Sequence, residues 1–305
     1  MLMRENLVKQ LISEKIGAEA REVTTLVGGQ VGHVYRADTA DTSYVVKLVE
    51  AWPEPSFSEE LRDDRVYGSR WSNLLPAYDL LFKSRIAVPK LYASGFLEDE
   101  KTNYEILDYL KGNSDDFSVE WFVAVGNALG TIHKTSRPYQ GWIGMETPYI
   151  ESWSDAFTKS LESQLDQAKP YVSTELYAQA ARYVTQYESI SEPEAFVLSH
   201  TDGFQGVLKK VGTNWELVGV VDIEDYQFTD QRFVLAGLEL AHAIEKRIVP
   251  NEFWVAYTEQ TAIDSTFDTY KKLFQIYYLL VWSRVLKDQP EPFKKCIDKF
   301  SELVA

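Results

Sequence analysis

The sequence predicts an α+β protein in which a small β-rich lobe precedes a larger and mainly helical lobe. Runs rich in β-branched and aromatic residues crowd into the first 110 residues, whereas apolar residues at helical spacing dominate the rest. The 305 residues suffice for two folding units of about 150 residues each. A polar, glycine-containing segment at 111–116 lies between them. We therefore predict one lobe over residues 1–110 and a second over residues 111–305.

The first lobe should contain two helices and five strands. Leu7 and Leu11 begin a helical pattern that predicts a first helix ending near Gly17. A second helical pattern covers residues 71–82. The strands are predicted at 23–27, 33–37, 43–49, 89–92 and 103–110. Turn-forming segments separate the first three strands, which is typical of an antiparallel meander.

The second lobe should be helical apart from one β-rich island. Helical spacing predicts helices at 118–135, 151–168, 173–190, 231–247, 251–262 and 266–287. A final short helix is predicted after Pro292. The β-rich island covers residues 195–223 and interrupts this series of helices.

Charge and composition exclude several classes of protein. Forty-six acidic and thirty-one basic side chains give a net charge of −15, which would repel nucleic-acid phosphates and anionic lipids. We therefore expect neither nucleic acid nor a membrane as partner, whereas a cationic small molecule would be tolerated. The single cysteine, Cys296, excludes an internal disulfide and a multi-cysteine metal site. Neither a secretory signal nor a membrane-spanning run is evident, so we expect a cytoplasmic location.

A glycine-rich turn and a strand lysine form the first candidate binding feature. Gly29 and Gly32 lie between two predicted strands, where glycine lets backbone N–H groups approach phosphate oxygens. Alone, such a turn is more typical of a simple hairpin. Lys47 follows in the next strand, which we expect to face the core, and its side chain lies on the same face as those of Val45 and Val49. A lysine in that position needs an anionic partner, unless it extends to an exposed edge of the sheet.

Two aspartates form the second candidate feature. Asp202 and Asp222 each follow an apolar, β-like run, at 195–198 and 217–221. Carboxylates at neighbouring strand ends can bind magnesium and accept protons. Either aspartate alone could simply start a turn or cap a helix. Their order, after a glycine loop and a strand lysine, favours a functional site.

This order resembles the protein-kinase-like phosphotransferases, and the loops resemble the aminoglycoside phosphotransferase and choline kinase family most. His200-Thr201-Asp202 resembles the family's catalytic loop, and the segment 221–224, Val-Asp-Ile-Glu, resembles its metal-binding segment. Segments 109–112 and 129–133 resemble its lobe connection and a helix end. The resemblance covers about residues 22–245. It implies a two-lobe, protein-kinase-like fold with a nucleotide between the lobes.

The resemblance also implies a role for individual residues. Asp202 would orient a substrate hydroxyl and accept its proton, and Asp222 would bind Mg²⁺. Lys47 would hold the α- and β-phosphates of the nucleotide, with Gly29 and Gly32 covering them. Catalysis would then rest on positioning and on neutralisation of charge.

The segment from Asp108 to Leu110 would pair with the base of the nucleotide through its backbone. Because backbone groups would bind the base, the sequence does not distinguish adenine from guanine. ATP and GTP both remain candidates. His200 and His133 are expected to be structural.

The chain departs from the family pattern at the second metal ligand. Five residues after Asp202, where the family has asparagine, this chain has Val207, which has no ligand atom. Either Gln205 or Glu224 could supply another oxygen, or a single magnesium ion at Asp222 could suffice.

The resemblance also implies that an acidic residue on a helix of the first lobe pairs with Lys47. Two ways of locating this residue in the chain disagree. Counting forward from Lys47 favours Glu59 or Glu60, whereas counting back from Pro89 leads to residues 72–74, which contain no acid. An insertion at 63–69 would reconcile the two counts, and we favour Glu60.

These observations predict an ATP- or GTP-dependent, Mg²⁺-dependent kinase that phosphorylates a hydroxyl of a small molecule. An aminoglycoside or a choline-like amine would suit the acidic chain. The alternative is a catalytically impaired, kinase-like module that binds a nucleotide or small molecule without transfer, which Val207 favours. A hydrolase using Asp202 and Asp222 is disfavoured because the sequence has no Gly-x-Ser-x-Gly motif.

Overall fold

The computed structural model of the chain describes residues 2–26, 33–50, 70–112, 116–144, 152–187, 190–200 and 203–305. The helices in these ranges are α1 (Leu2–Ile16), α2 (Arg70–Lys83), α3 (Val119–His133), α4 (Trp153–Ala168), α5 (Thr174–Val184), α6 (Gln231–Ile244), α7 (Asn251–Thr258), α8 (Phe267–Val285) and α9 (Pro290–Val304). The strands are β1 (Glu22–Leu26), β2 (His33–Asp38), β3 (Ser43–Glu50), β4 (Leu91–Leu97), β5 (Thr102–Asp108), β6 (Ser136–Arg137), β7 (Gly141–Trp142), β8 (Phe196–His200), β9 (Gly206–Val211), β10 (Asn214–Val220) and β11 (Tyr226–Asp230). A β-rich part followed by a mainly helical part confirms the predicted fold class.

The first five strands form one antiparallel sheet in the order β1-β2-β3-β5-β4. The predicted meander is present, because β1 pairs with β2 and β2 pairs with β3. β5 then pairs with β3, from Tyr44 opposite Asp108 to Glu50 opposite Thr102. This register places Lys47 opposite Glu105 near the middle of the sheet.

α1 closes a small hydrophobic core on one face of this sheet. Val8, Leu11 and Ile12 are buried on the helix and share a cluster with Val46 and Ile106 of the sheet. Complete burial of such side chains contributes about 1.5–3 kcal/mol each. α1 therefore owes its stability to packing against the sheet, as its predicted amphipathic pattern requires.

The second, larger core contains α2 together with the elements that follow β5. Within this core, helices α3 and α7 meet at two glycines. A Cβ added at Gly126 would lie 2.5 Å from the carbonyl oxygen of Phe253, and one at Gly130 would lie 2.8 Å from that of Tyr257. Glycine is needed at both positions because the backbones approach too closely for a side chain. The division at residues 110 and 111 stays a prediction.

The strands of the second lobe extend beyond the predicted island. β9 and β10 form a hairpin, and β8 pairs with β11 in a sheet of order β6-β8-β11-β7. The sequence pattern did not predict β11, because its five residues adjoin the start of α6 and are too few to show a period. α9 is longer than the predicted short helix, with 15 residues. None of the helices in the described ranges is long and apolar enough to cross a membrane.

A buried ion pair fixes the junction between β11 and α6. The guanidinium of Arg232 is fully buried and donates to Asp230 Oδ2 at 2.7 Å. It also donates to Thr266 Oγ1 at 2.7 Å and to the carbonyl of Ser191 at 2.8 Å. Because a buried charge is tolerated only when it is paired and hydrogen-bonded, this network rigidly positions β11 and the turn just before it.

Candidate active site

Lys47 lies on the face of β3 that points toward the second lobe. It shares this face with Val45 and Val49, as the alternation of side chains along a strand predicts. The face of β3 in the α1 core carries Val46 and Leu48. Side chains alternate along a strand, so Lys47 points the other way.

Two carboxylates of the second lobe bind the Lys47 ammonium group. Nζ donates to Asp222 Oδ1 at 2.8 Å and to Glu224 Oε1. The side chain of Asp222 is 43% exposed, whereas that of Glu224 is 1% exposed. Burial by itself would lower the pKa of Lys47, but the charges of Glu224, Asp222 and Glu105 outweigh burial and raise it. The lysine is therefore protonated and links the first sheet to the second lobe.

The turn that carries the two carboxylates begins with a left-handed residue. Asp222 follows β10 and has φ 53° and ψ 50°, and residues Ile223–Asp225 then form one turn of 3-10 helix. Aspartate adopts the left-handed conformation more readily than most residues other than glycine and asparagine. This backbone reversal places Asp222 and Glu224 on the same ammonium group.

Asn73 of α2 anchors this turn to the helix. Its buried side-chain amide donates to the carbonyl oxygens of Glu224 at 3.0 Å and Tyr226 at 2.8 Å. Its Oδ1 accepts a hydrogen bond from the backbone N–H of Ile143 at 3.0 Å. All three partners are backbone groups, so Asn73 fixes the path of the chain around Glu224.

Glu105 is a further acid beside Lys47, which the sequence analysis missed. It is 1% exposed, and its Oε1 has no hydrogen-bond partner among the described residues. Burial, followed by the charge of Glu224, raises the pKa of Glu105 above its ordinary value, although Lys47 opposes this shift. The signal in the sequence was weak: Glu105 lies between Tyr104 and Ile106, but only the β3–β5 register places it opposite Lys47.

The proposed base-binding segment, Asp108 to Leu110, packs against the second lobe. A Cβ on Gly219 of β10 would lie 2.9 Å from Leu110 Cδ1. The carboxylate of Asp108 accepts a hydrogen bond from the Tyr92 hydroxyl at 2.8 Å, and its backbone N–H donates to the carbonyl of Lys90 at 3.0 Å. These contacts hold the segment beside the hairpin that precedes Asp222.

Gln205, a predicted metal ligand, and Val207, which replaces the family's asparagine, lie next to or on β9. The carbonyl of Gln205 accepts a hydrogen bond from the backbone N–H of Val221 at 3.0 Å, which places Gln205 next to the Asp222 turn. Val207 lies in β9 opposite Gly219, and its side chain leaves no room for a Cβ at Gly112. Val207 therefore packs against the lobe connection.

Four predicted site residues, namely Gly29, Gly32, Glu60 and Asp202, lie outside the described residues. Their roles stay predictions from the sequence. The structure does place Lys47, Asp222 and Glu224 together, with Gln205 near them.

The two histidines that were expected to be structural are both buried. His200 lies edge-on to Tyr226, with 5.6 Å between the ring centroids, and its Nε2 is 3.9 Å from Asp225 Oδ2. His133 Nδ1 is 2.6 Å from the hydroxyl of Tyr257. Burial lowers the pKa of His133 to about 3, so this imidazole is neutral near pH 7.

Solved structures with similar folds include several small-molecule phosphotransferases. A candidate fructosamine-3-kinase from Haemophilus somnus 129PT is 16% identical, with 98% of this chain and 97% of that chain covered at a TM-score of 0.62. One from Thermobifida fusca YX-ER1 is 16% identical, with 98% of each chain covered at a TM-score of 0.61. A spectinomycin phosphotransferase in complex with ADP and spectinomycin is 15% identical, with 98% of this chain and 97% of that chain covered at a TM-score of 0.57. These similarities confirm the kinase-like fold.

Sequence comparison identifies the family. A search of the curated proteins found no match. The sequence model of the fructosamine kinase family, however, matches residues 4–290, which is nearly the whole chain. The resemblance to small-molecule phosphotransferases is thereby confirmed, and the chain belongs to the fructosamine kinase family of small-molecule kinases.

Proposed function

We propose that this kinase transfers the γ-phosphoryl group of ATP or GTP, with Mg²⁺, to a hydroxyl of a small molecule. The observation that carries the proposal is the cluster of Lys47, Asp222 and Glu224. This cluster lies at the junction of the two lobes. It provides one cation that can bind phosphate oxygens and two carboxylates that can bind a metal ion. Phosphoryl transfer needs these charges because the protein acts mainly by positioning and electrostatic stabilisation.

The carboxylates fit magnesium by their chemistry. Magnesium prefers hard oxygen ligands and is commonly held by one or two carboxylates together with substrate phosphates. Asp222 and Glu224 provide such oxygens, and Lys47 now neutralises them as a cation would. In the described part of the chain, no three His, Cys, Asp or Glu side chains converge as a metal site. We therefore assign Mg²⁺ to Asp222 and Glu224, where the ion would neutralise phosphate charge, with Gln205 as a further candidate ligand.

The transfer itself would proceed in one displacement. The acceptor oxygen forms a bond to the γ-phosphorus while the bond from that phosphorus to the β–γ bridging oxygen breaks, and the nucleoside diphosphate leaves. The acceptor hydroxyl gives its proton to Asp202. Lys47 would hold the α- and β-phosphates, with Gly29 and Gly32 covering them, and the backbone of 108–110 would bind the base.

The acceptor we favour is a fructosamine, that is, a ketose-derived amine with several hydroxyl groups. The family name supports this choice over the aminoglycoside or choline-like amine expected from charge alone. The net charge of −15 suits all three, because each carries an amine that is cationic near neutral pH.

The second candidate is a kinase-like module that binds a nucleotide without transfer. Val207 favours it, because a side chain packed against the lobe connection offers no metal ligand. Replacing Val207 by asparagine should raise turnover strongly if the native chain is impaired, and should change it little if one metal ion suffices.

Calorimetric titration and a turnover assay together test the proposal. We expect ATP or GTP to bind with Mg²⁺ to the native chain, and Asp222→Asn to lose the Mg²⁺-dependent part of the binding. Asparagine keeps the left-handed backbone accessible and removes only the charge. We then expect nucleoside diphosphate release that depends on a fructosamine, with aminoglycosides, choline and amino alcohols as comparison acceptors. Absence of nucleotide binding to the native chain would refute the proposal.

A further inference from the structure

Glu105 occupies a costly position for an acid. It lies directly opposite Lys47 across the β3–β5 pair, so the two side chains leave the sheet on the same face. Its Oε1 is buried without a hydrogen-bond partner among the described residues. A buried carboxylate oxygen without a hydrogen-bond partner is destabilising, so its retention in a native protein calls for an explanation.

The helix beside this cluster does not provide the acid. Asp79 is the one acid in α2, and it is exposed and paired with Lys83. Asn73 of α2 reaches the Glu224 turn, and it is an uncharged amide bonded to backbone groups. Tyr78 of the same helix brings a buried hydroxyl without a hydrogen-bond partner in the described ranges, which is no counter-charge for an ammonium.

The contacts of Lys47 in this structure conflict with its proposed role. Its two hydrogen-bonded anions, Asp222 and Glu224, are the groups assigned to magnesium. A carboxylate oxygen that binds Mg²⁺ is a weaker acceptor for an ammonium group. When the metal and nucleotide bind, Lys47 must turn toward phosphate oxygens. A long, flexible side chain then needs an anion on the protein side to keep it aimed.

We propose that Glu105 is the positioning residue that holds Lys47 while Mg²⁺ and a nucleotide occupy Asp222 and Glu224. The inference rests on the proposed nucleotide site and adds the residue that keeps its lysine in place. A strand acid, Glu105, takes the place of a helix acid. Its Oε1, which has no partner in the part of the chain that the structure describes, is the acceptor for the ammonium group. Glu60, favoured by counting along the sequence, is the rival.

Titration calorimetry with Mg²⁺ and a non-hydrolysable ATP or GTP analogue tests the proposal without any acceptor. The variant Glu105→Gln keeps the shape of the side chain and removes its charge. We expect its affinity for the Mg²⁺–nucleotide to fall about tenfold, the scale of one charge-assisted hydrogen bond. Glu105→Asp, which keeps the charge on a shorter side chain, should bind better than Glu105→Gln. Glu100→Gln, an exposed acid at the end of the same hairpin, is the matched control and should bind as the native chain does.

A double-mutant cycle shows whether Glu105 acts through Lys47. In the Lys47→Met background, Glu105→Gln should cause no further loss of affinity, because the ammonium group that it positions is gone. Urea unfolding of each variant checks that it is folded. If Lys47→Met does not fold, the comparison of Glu105→Asp with Glu105→Gln carries the test.

Several outcomes would overturn the proposal. If Glu105 merely repels phosphate, Glu105→Gln will bind the nucleotide as tightly as the native chain or more tightly. If Glu60 is the partner, Glu60→Gln will weaken binding and Glu105→Gln will not. An equal loss in the native and Lys47→Met backgrounds would show that Glu105 does not act through the lysine. Failure of the native chain to bind any nucleotide would instead remove the proposed function itself.

Discussion

Replacing Asn73 by alanine should destabilise the protein by about 2.5 kcal/mol. The side chain makes three hydrogen bonds to backbone groups, at 3.0, 2.8 and 3.0 Å. A hydrogen bond contributes about 1 kcal/mol net, so their loss costs about 3 kcal/mol. Alanine returns about 0.5 kcal/mol through its higher helix propensity. The remaining loss is large for a substitution that removes three heavy atoms, because the buried carbonyl oxygens of Glu224 and Tyr226 both lose their donor.

Urea unfolding followed by tryptophan fluorescence measures this loss, and the eight tryptophans make the signal strong. Asn127→Ala is the matched control, because Asn127 is also on a helix and its side chain accepts one hydrogen bond, from Gln260 at 3.0 Å. We expect the control to lose about 0.5 kcal/mol by the same reasoning. Equal losses for the two variants would refute the argument. Asn73→Asp should be worse than Asn73→Ala, because its carboxylate would face the carbonyl oxygens of Glu224 and Tyr226.

Three further predictions concern stability. His133 has a folded-state pKa of about 3, whereas an unfolded histidine has a pKa near 6.5, so the unfolded state binds more protons between these values and stability falls as pH falls. From pH 7 to pH 5 this loss should be about 2 kcal/mol in urea titrations, and His133→Asn should flatten the pH dependence; parallel curves would contradict this. Gly126→Ala should destabilise by about 1–3 kcal/mol, because the new Cβ meets the carbonyl of Phe253; a gain, as helix propensity alone predicts, would show that α3 and α7 can separate easily. Arg232→Met should cost about 3–5 kcal/mol by stranding the buried carboxylate of Asp230, and adding Asp230→Asn should recover part of it; no recovery would mean that packing, not charge, causes the loss.

Much of the fold could be predicted because its elements have clear periods. The helical spacing in α1 reflects one buried face, and the run of β-branched residues in β3 is typical of a strand, so the pattern and the element coincide. β11 escaped prediction because five residues next to a helix carry too little periodicity. Valines occupy both sides of β3, so a local pattern cannot tell which side meets α1 and which meets the second lobe.

The site was predictable where a residue type itself limits the chemistry. Lys47 and Asp222 attract attention because a lysine in an apolar strand and an aspartate after one both need partners. Asn73 and Glu105 depend on pairing register and on a helix packed against a distant turn, and these are tertiary facts. Local counting therefore led to Glu60, whereas the register of β5 led to Glu105.

The ion pair between Lys47 and Glu224 has a consequence for folding during synthesis on the ribosome. The two residues are 177 positions apart, and at about 5–20 residues per second a ribosome needs roughly 10–35 s to travel from one to the other. During that interval the first sheet can form while Asp222 and Glu224 do not yet exist. Glu105, already synthesised, then faces Lys47 across the newly paired strands. The strand acid that we propose as the positioning residue of the nucleotide-bound enzyme would thus be available to the lysine on the nascent chain before Asp222 and Glu224 are synthesised.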